Sequence, residues 1–83
     1  MDNLPRVRRI VRDALQLGDK AERLTESSPL LGSIPELDSM AVVTVLTLIE
    51  EEFGLSIGDD DVSAETFATL GSLSRFVAEK TGT

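Results

Sequence analysis

Apolar positions divide the chain into periodic and aperiodic stretches. Val7, Ile10, Val11, Ala14 and Leu15 recur at i, i+3, i+4, i+7 and i+8, which is one apolar stripe of an amphipathic helix. Asp2-Asn3-Leu4-Pro5 precedes it. Asn is a favoured N-cap and Pro is tolerated in the first turn, so the helix is expected to start there and to stop at Gly18. Residues 19–38 have no period. Asp19 to Glu26 suits a turn of helix at most, and Ser27-Ser28-Pro29, Gly32 and Pro35 interrupt anything longer. Loops of this length pack by their own apolar residues or carry function. Leu30, Leu31, Ile34 and Leu37 predict that this one packs across the end of a bundle.

Periodicity returns at Ser39 and predicts a second helix to Phe53, closed by Gly54. Its apolar surface is too wide for one core face. Val42, Val45, Leu46, Ile49 and Phe53 form the core stripe. Met40 and Val43, with Thr47 a turn further, form another beside it. That second stripe either lies partly exposed next to Ser39 or is covered by the long loop. Glu50-Glu51-Glu52 fills the last turn, where carboxylates oppose the helix dipole; it reads as a solvated face or as a surface for a basic partner. Asp59-Asp60-Asp61 is expected to cap a short helix through Val62–Phe67. Its spacing does not fit a calcium loop. Thr69 then caps a last helix with apolar Leu70, Leu73, Phe76 and Val77, ending near Lys80. The fold class is all-α: a small four-helix bundle with three longer helices, one short helix and a long loop between helices 1 and 2, expected as a single domain over residues 1–83.

Composition narrows the chemistry. The 83 residues contain no Cys and no His, which excludes polypeptide thiol chemistry, histidine acid–base catalysis and the usual zinc sites. An enzyme is therefore not expected, and no metal site. The net charge of −7 repels nucleic acid and favours basic partner surfaces. The start of the chain lacks an apolar signal core, and Met40 to Ile49 is too short to span a bilayer. A cytoplasmic monomer is the expectation. Arg6, Arg8, Arg9 and Arg12 on the polar side of the first helix read as a solvated basic face or as a partner patch.

Asp38-Ser39 places a hydroxyl beside a carboxylate at the mouth of the second helix. Either side chain can cap the helix; capping alone accounts less well for two polar residues after so apolar an approach.

Here the residues resemble the acyl carrier proteins. Asp38-Ser39-Met40 is similar to the family's Asp-Ser-Leu motif at the start of its second helix. LTLIEEEFGLSI, from Leu46 to Ile57, resembles that helix's ending. The order of helices and the long first loop agree, and the resemblance runs from about Leu4 to Lys80. It implies that Ser39 receives 4'-phosphopantetheine from coenzyme A through a phosphopantetheinyl transferase. The arm's thiol would then present acyl groups as thioesters to acyl-loading and acyl-using enzymes, as in fatty acid or specialised acyl and polyketide-type biosynthesis. Asp38 would serve transferase recognition. Met40, Val43 and Thr47 would form the apolar partner-facing patch, with Glu50, Glu51, Asp59, Asp60 and Asp61 as its acidic rim, and the helices would enclose or release the acyl chain.

Three features depart from the family pattern. Glu36, after Pro35, stands where the family often has glycine. Met40 replaces the usual Leu, with similar volume and more flexibility. Four arginines crowd the first helix. The Pro35–Met40 loop is similar to that of carriers found with specialised acyl-ligase, exopolysaccharide and exosortase systems. Two alternatives remain: a peptidyl or aminoacyl carrier, and an unmodified acidic interaction module in which Asp38-Ser39 is only a helix cap.

Overall fold

The computed structural model describes residues 3–30, 32, 34 and 37–82, without the side chain of residue 59. Asp2, Leu31, Pro35 and Glu36, named above, lie outside the described residues. The described residues form three α-helices, α1 (Leu4–Leu15), α2 (Ser39–Phe53) and α3 (Leu70–Thr81), and three 3-10 segments, Gly18–Arg23 between α1 and α2, and Asp59–Asp61 and Ala64–Phe67 between α2 and α3. The four-helix order holds, with Ala64–Phe67 as the short helix. Among the described residues there is no strand, only one antiparallel bridge between Pro29 and Thr69.

The α1 stripe buries as its spacing requires: Val7, Ile10, Val11 and Leu15 are all in the core. Both ends of the helix differ from expectation. Asn3 occupies the N-cap position with helical backbone angles and makes no side-chain cap bond; its backbone carbonyl accepts the Val7 N–H instead. The helix stops before Gly18, because Gln16 takes the left-handed conformation with φ 55°. The N–H groups of Gln16 and Leu17 both return to the Arg12 carbonyl, a closure that satisfies the last turn. Gly18 begins the 3-10 segment, whose Ala21 is buried.

α2 contributes Val45 and Ile49, both fully buried, while Val42, Leu46 and Phe53 pack half-buried against the same cluster. From α3, Leu70, Leu73, Phe76 and Val77 complete the core. Thr69 and Ser72 exchange hydrogen bonds in a capping box at the head of α3. A second box caps the short helix, and its N-cap is Ser63, bonded with Thr66. The expectation that the aspartates cap this helix is thereby corrected: Val62 and Ser63 separate them from it, and Asp61 turns to Gly58 N–H and to Lys80.

The long loop packs across the bundle. Leu30 and Leu37 are buried and Ile34 half-buried. The loop is also laced to the head of α3: Leu30 N–H reaches Ala68 O, Leu70 N–H reaches Ser28 O, and Gly71 N–H reaches Glu26 O at 2.8 Å. These bonds satisfy backbone groups that an aperiodic segment would otherwise leave unpaired. They fix the loop's first half, and buried Leu37 directly precedes the mouth of α2.

Candidate functional site

At that mouth the two polar residues divide. Asp38 is the N-cap in extended conformation, and its Oδ1 accepts the Ala41 N–H at 2.8 Å. Ser39 is the first residue of α2 and is exposed. Its hydroxyl makes no hydrogen bond among the described residues. The side-chain cap is thus made by Asp38 and not by Ser39, and an unengaged hydroxyl stands beside a carboxylate in the positive field of a helix N-terminus.

A face of α2 continues from Ser39. Met40 is 74% exposed and Val43 57%, so the loop does not cover them. Thr44 and Thr47 share this side and are exposed. Their hydroxyls donate to the carbonyls of Met40 and Val43, at 3.1 and 2.9 Å. Each hydroxyl proton is thereby spent on the helix's own backbone, so the face acts as a more apolar surface than its composition suggests. No charged residue occurs in α2 between Ser39 and Ile49.

The three glutamates that close α2 have three different environments. Glu50 is half-buried, and its Oε2 accepts the Ile57 N–H at 2.7 Å, holding the chain after Gly54. Glu51 is exposed and has no ion-pair partner among the described residues. Glu52 is held by α1: Arg6 Nη2 lies 2.8 Å and Arg9 Nη2 3.4 Å from its Oε2. Arg6 also donates to the Glu52 backbone carbonyl, at 3.4 Å, and stacks over the Phe53 ring at 4.3 Å. The hydrogen bond from Arg6 holds the Glu52 carboxyl below the usual glutamate range, with the nearby charges of Arg6 and Arg9 acting in the same direction. α2 has no basic residue in its last turn, and α1 supplies the cations that its C-terminal dipole favours.

The aspartate run is likewise divided. Asp60 is exposed without a partner among the described residues. Asp61 pairs with Lys80 at 2.9 Å and accepts the Gly58 N–H; the bond from Lys80 lowers its pKa. The Asp59 side chain lies outside the described residues. Surface hollows of about 280, 310 and 250 Å³ lie between α1 and α3, around the short helix, and between α1 and α2. None of the three touches Ser39, Met40 or Val43. No group of acidic side chains arranged to hold a metal occurs among the described residues, and no helix there is long and apolar enough to cross a membrane.

The family described as the phosphopantetheine attachment site matches residues 5–77. The chain belongs to that family. A solution NMR structure of a holo acyl carrier protein from Nitrosomonas europaea superposes with a TM-score of 0.91, at 55% identity, over 100% of both chains. The carrier fold, the acyl carrier function and the covalently attached 4'-phosphopantetheine follow from these matches. A carrier of this family meets a phosphopantetheinyl transferase and acyl-handling enzymes. The site fits such a group, because attachment requires an exposed, unengaged hydroxyl, and the mouth of α2 offers one.

Some features of the carrier surface escaped the sequence reading. Thr44, one helical turn beyond Met40, belongs to the exposed face. Glu50 to Glu52 cannot share one side, since successive helical residues turn by 100°; that spacing was the available signal. Arg6 and Arg9 are neither a simple solvated face nor a free patch, being turned toward Glu52.

Proposed function

We propose that Ser39 is the residue that carries 4'-phosphopantetheine, and that the loaded carrier presents acyl thioesters to enzymes of fatty acid or specialised acyl biosynthesis. The observation that carries this reading is the division of labour at the helix mouth. Asp38 caps α2, leaving the Ser39 hydroxyl exposed and without a partner among the described residues. When bound, the arm supplies a terminal thiol that this cysteine-free chain lacks. The chain's own residues offer the nucleophilic oxygen, fix its position by the cap next to it, and present a docking surface. Met40, Val43, Thr44 and Thr47 form the apolar part of that surface, with Glu51 and Asp60 as free acids at its margin. Asp38 remains available on its second oxygen to meet the transferase. No chain residue is assigned a catalytic step.

The test is the intact mass of the chain after incubation with a broad-specificity phosphopantetheinyl transferase, coenzyme A and magnesium. A gain of one phosphopantetheine on the native chain and none on Ser39→Ala is expected. A folded native chain that gains nothing, or a variant that still gains it, overturns the assignment. Acyl cargo is read by incubating the loaded carrier with acyl-activating and aminoacyl-activating enzymes and weighing the product.

A further inference from the structure

We propose that Arg6 and Arg9 are specificity-determining residues: by pairing with Glu52 on the α1 side of α2 they neutralise its charge, so that a basic partner meets Glu51 as the free acid at the end of α2. The inference rests on the carrier reading above and adds residues of α1 to it.

Two guanidinium groups converge on one carboxylate oxygen, so this cluster carries a net positive charge. A basic partner approaching from the α1 side meets repulsion there. A partner approaching over Met40 and Val43 meets an uncharged strip and then Glu51. Like-charge juxtaposition selects against wrong orientations as effectively as attraction selects for the right one. Arg6 is well anchored, bonding the carboxylate and a backbone carbonyl and stacking on Phe53. Glu52 is therefore not free to follow a partner's cation. The groove between the helices, lined by Arg9, Ile10, Asp13, Leu48, Glu51 and Glu52, is where the two fields meet, and Glu51 stands on it unpaired. The partner that fits is a protein with an apolar docking patch and a basic residue about three helical turns from the Ser39 end.

The experiment measures transferase kinetics on the apo chain at low salt. Arg6→Gln with Arg9→Gln frees Glu52, and KM is expected to fall about two- to fivefold, the range of one exposed charge contact, with kcat unchanged. Adding Glu52→Gln to that pair should return KM toward the native value. Arg6→Lys with Arg9→Lys retains the cations and should behave as native. Arg23→Gln with Arg75→Gln changes net charge equally but elsewhere, and should move KM less. All differences should shrink at about 0.5 M salt. An unchanged KM in the Arg6, Arg9 variant, or an equal fall in the Arg23, Arg75 variant, overturns the proposal. If the double variant does not fold by circular dichroism, Arg9→Gln alone carries the test: it keeps the Arg6 contacts but cancels the cluster's net positive charge, so a smaller fall in KM is expected and an unchanged KM overturns the proposal. A native chain that is never loaded would instead overturn the carrier reading itself.

Discussion

Asp38 accepts the Ala41 N–H at 2.8 Å, and the adjacent Ser39 accepts nothing from the helix it begins. On the proposed assignment of Ser39, the two residues separate stability from modification. Ser39→Ala is expected to leave the unfolding free energy within about 0.5 kcal/mol of native, as ordinary surface substitutions do. Asp38→Ala removes the cap and should cost about 1 kcal/mol. Urea denaturation of both variants checks this. A loss for Ser39→Ala as large as that for Asp38→Ala would mean that the serine is a cap after all.

Glu50 offers a second separation, between charge and scaffold. Its Oε2 takes the Ile57 N–H in a partly buried site. Glu50→Ala strips the acceptor and should cost about 1–2 kcal/mol. Glu50→Gln keeps an acceptor oxygen and should cost less, while removing the charge. Amide exchange at Ile57 is the local readout: faster in the alanine variant, near native in the glutamine variant. Equal exchange in the two would show that the bond does not hold the segment after Gly54.

The helical periods made much of this legible. The α2 limits, the Thr69 cap and the core faces follow from 3.6-residue spacing, and Asp38-Ser39 was visible as a polar pair after an apolar approach. Contacts between distant residues were not. Arg6 and Glu52 are 46 positions apart, and nothing in either helix alone says that they meet. Gln16 ended α1 before the more permissive Gly18 because both following N–H groups could return to Arg12 O, a choice set by local closure rather than by residue preference. The capping box at Ser63 was masked by the louder aspartate run before it.

Gly71 is another such contact. Its N–H reaches Glu26 O at 2.8 Å, and a Cβ there would lie 2.7 Å from that same oxygen and 2.5 Å from Glu26 Cγ. Within a helix, alanine would normally stabilise relative to glycine. Here the close approach reverses the sign. Gly71→Ala should destabilise by about 1–3 kcal/mol, measured by thermal or urea unfolding. A stabilised variant would show that residues 26–30 are not held against the head of α3.

Acid should loosen the fold through two cross-links. The Arg6 bond depresses the Glu52 pKa, and the Lys80 bond, with Gly58 N–H, depresses that of Asp61. A carboxyl whose folded pKa lies below its unfolded value binds fewer protons in the native state. Its contribution is present above the unfolded pKa and is lost as pH falls through the folded one. Ordinary carboxyls titrate near about pH 4, so these two contributions should disappear as pH falls below that range. Glu52→Gln with Asp61→Asn should be less stable than native at pH 7 and should converge with it in acid. Urea midpoints taken from pH 7 down to pH 3 test this. Native and variant curves that stay parallel would show that neither ion pair contributes to stability.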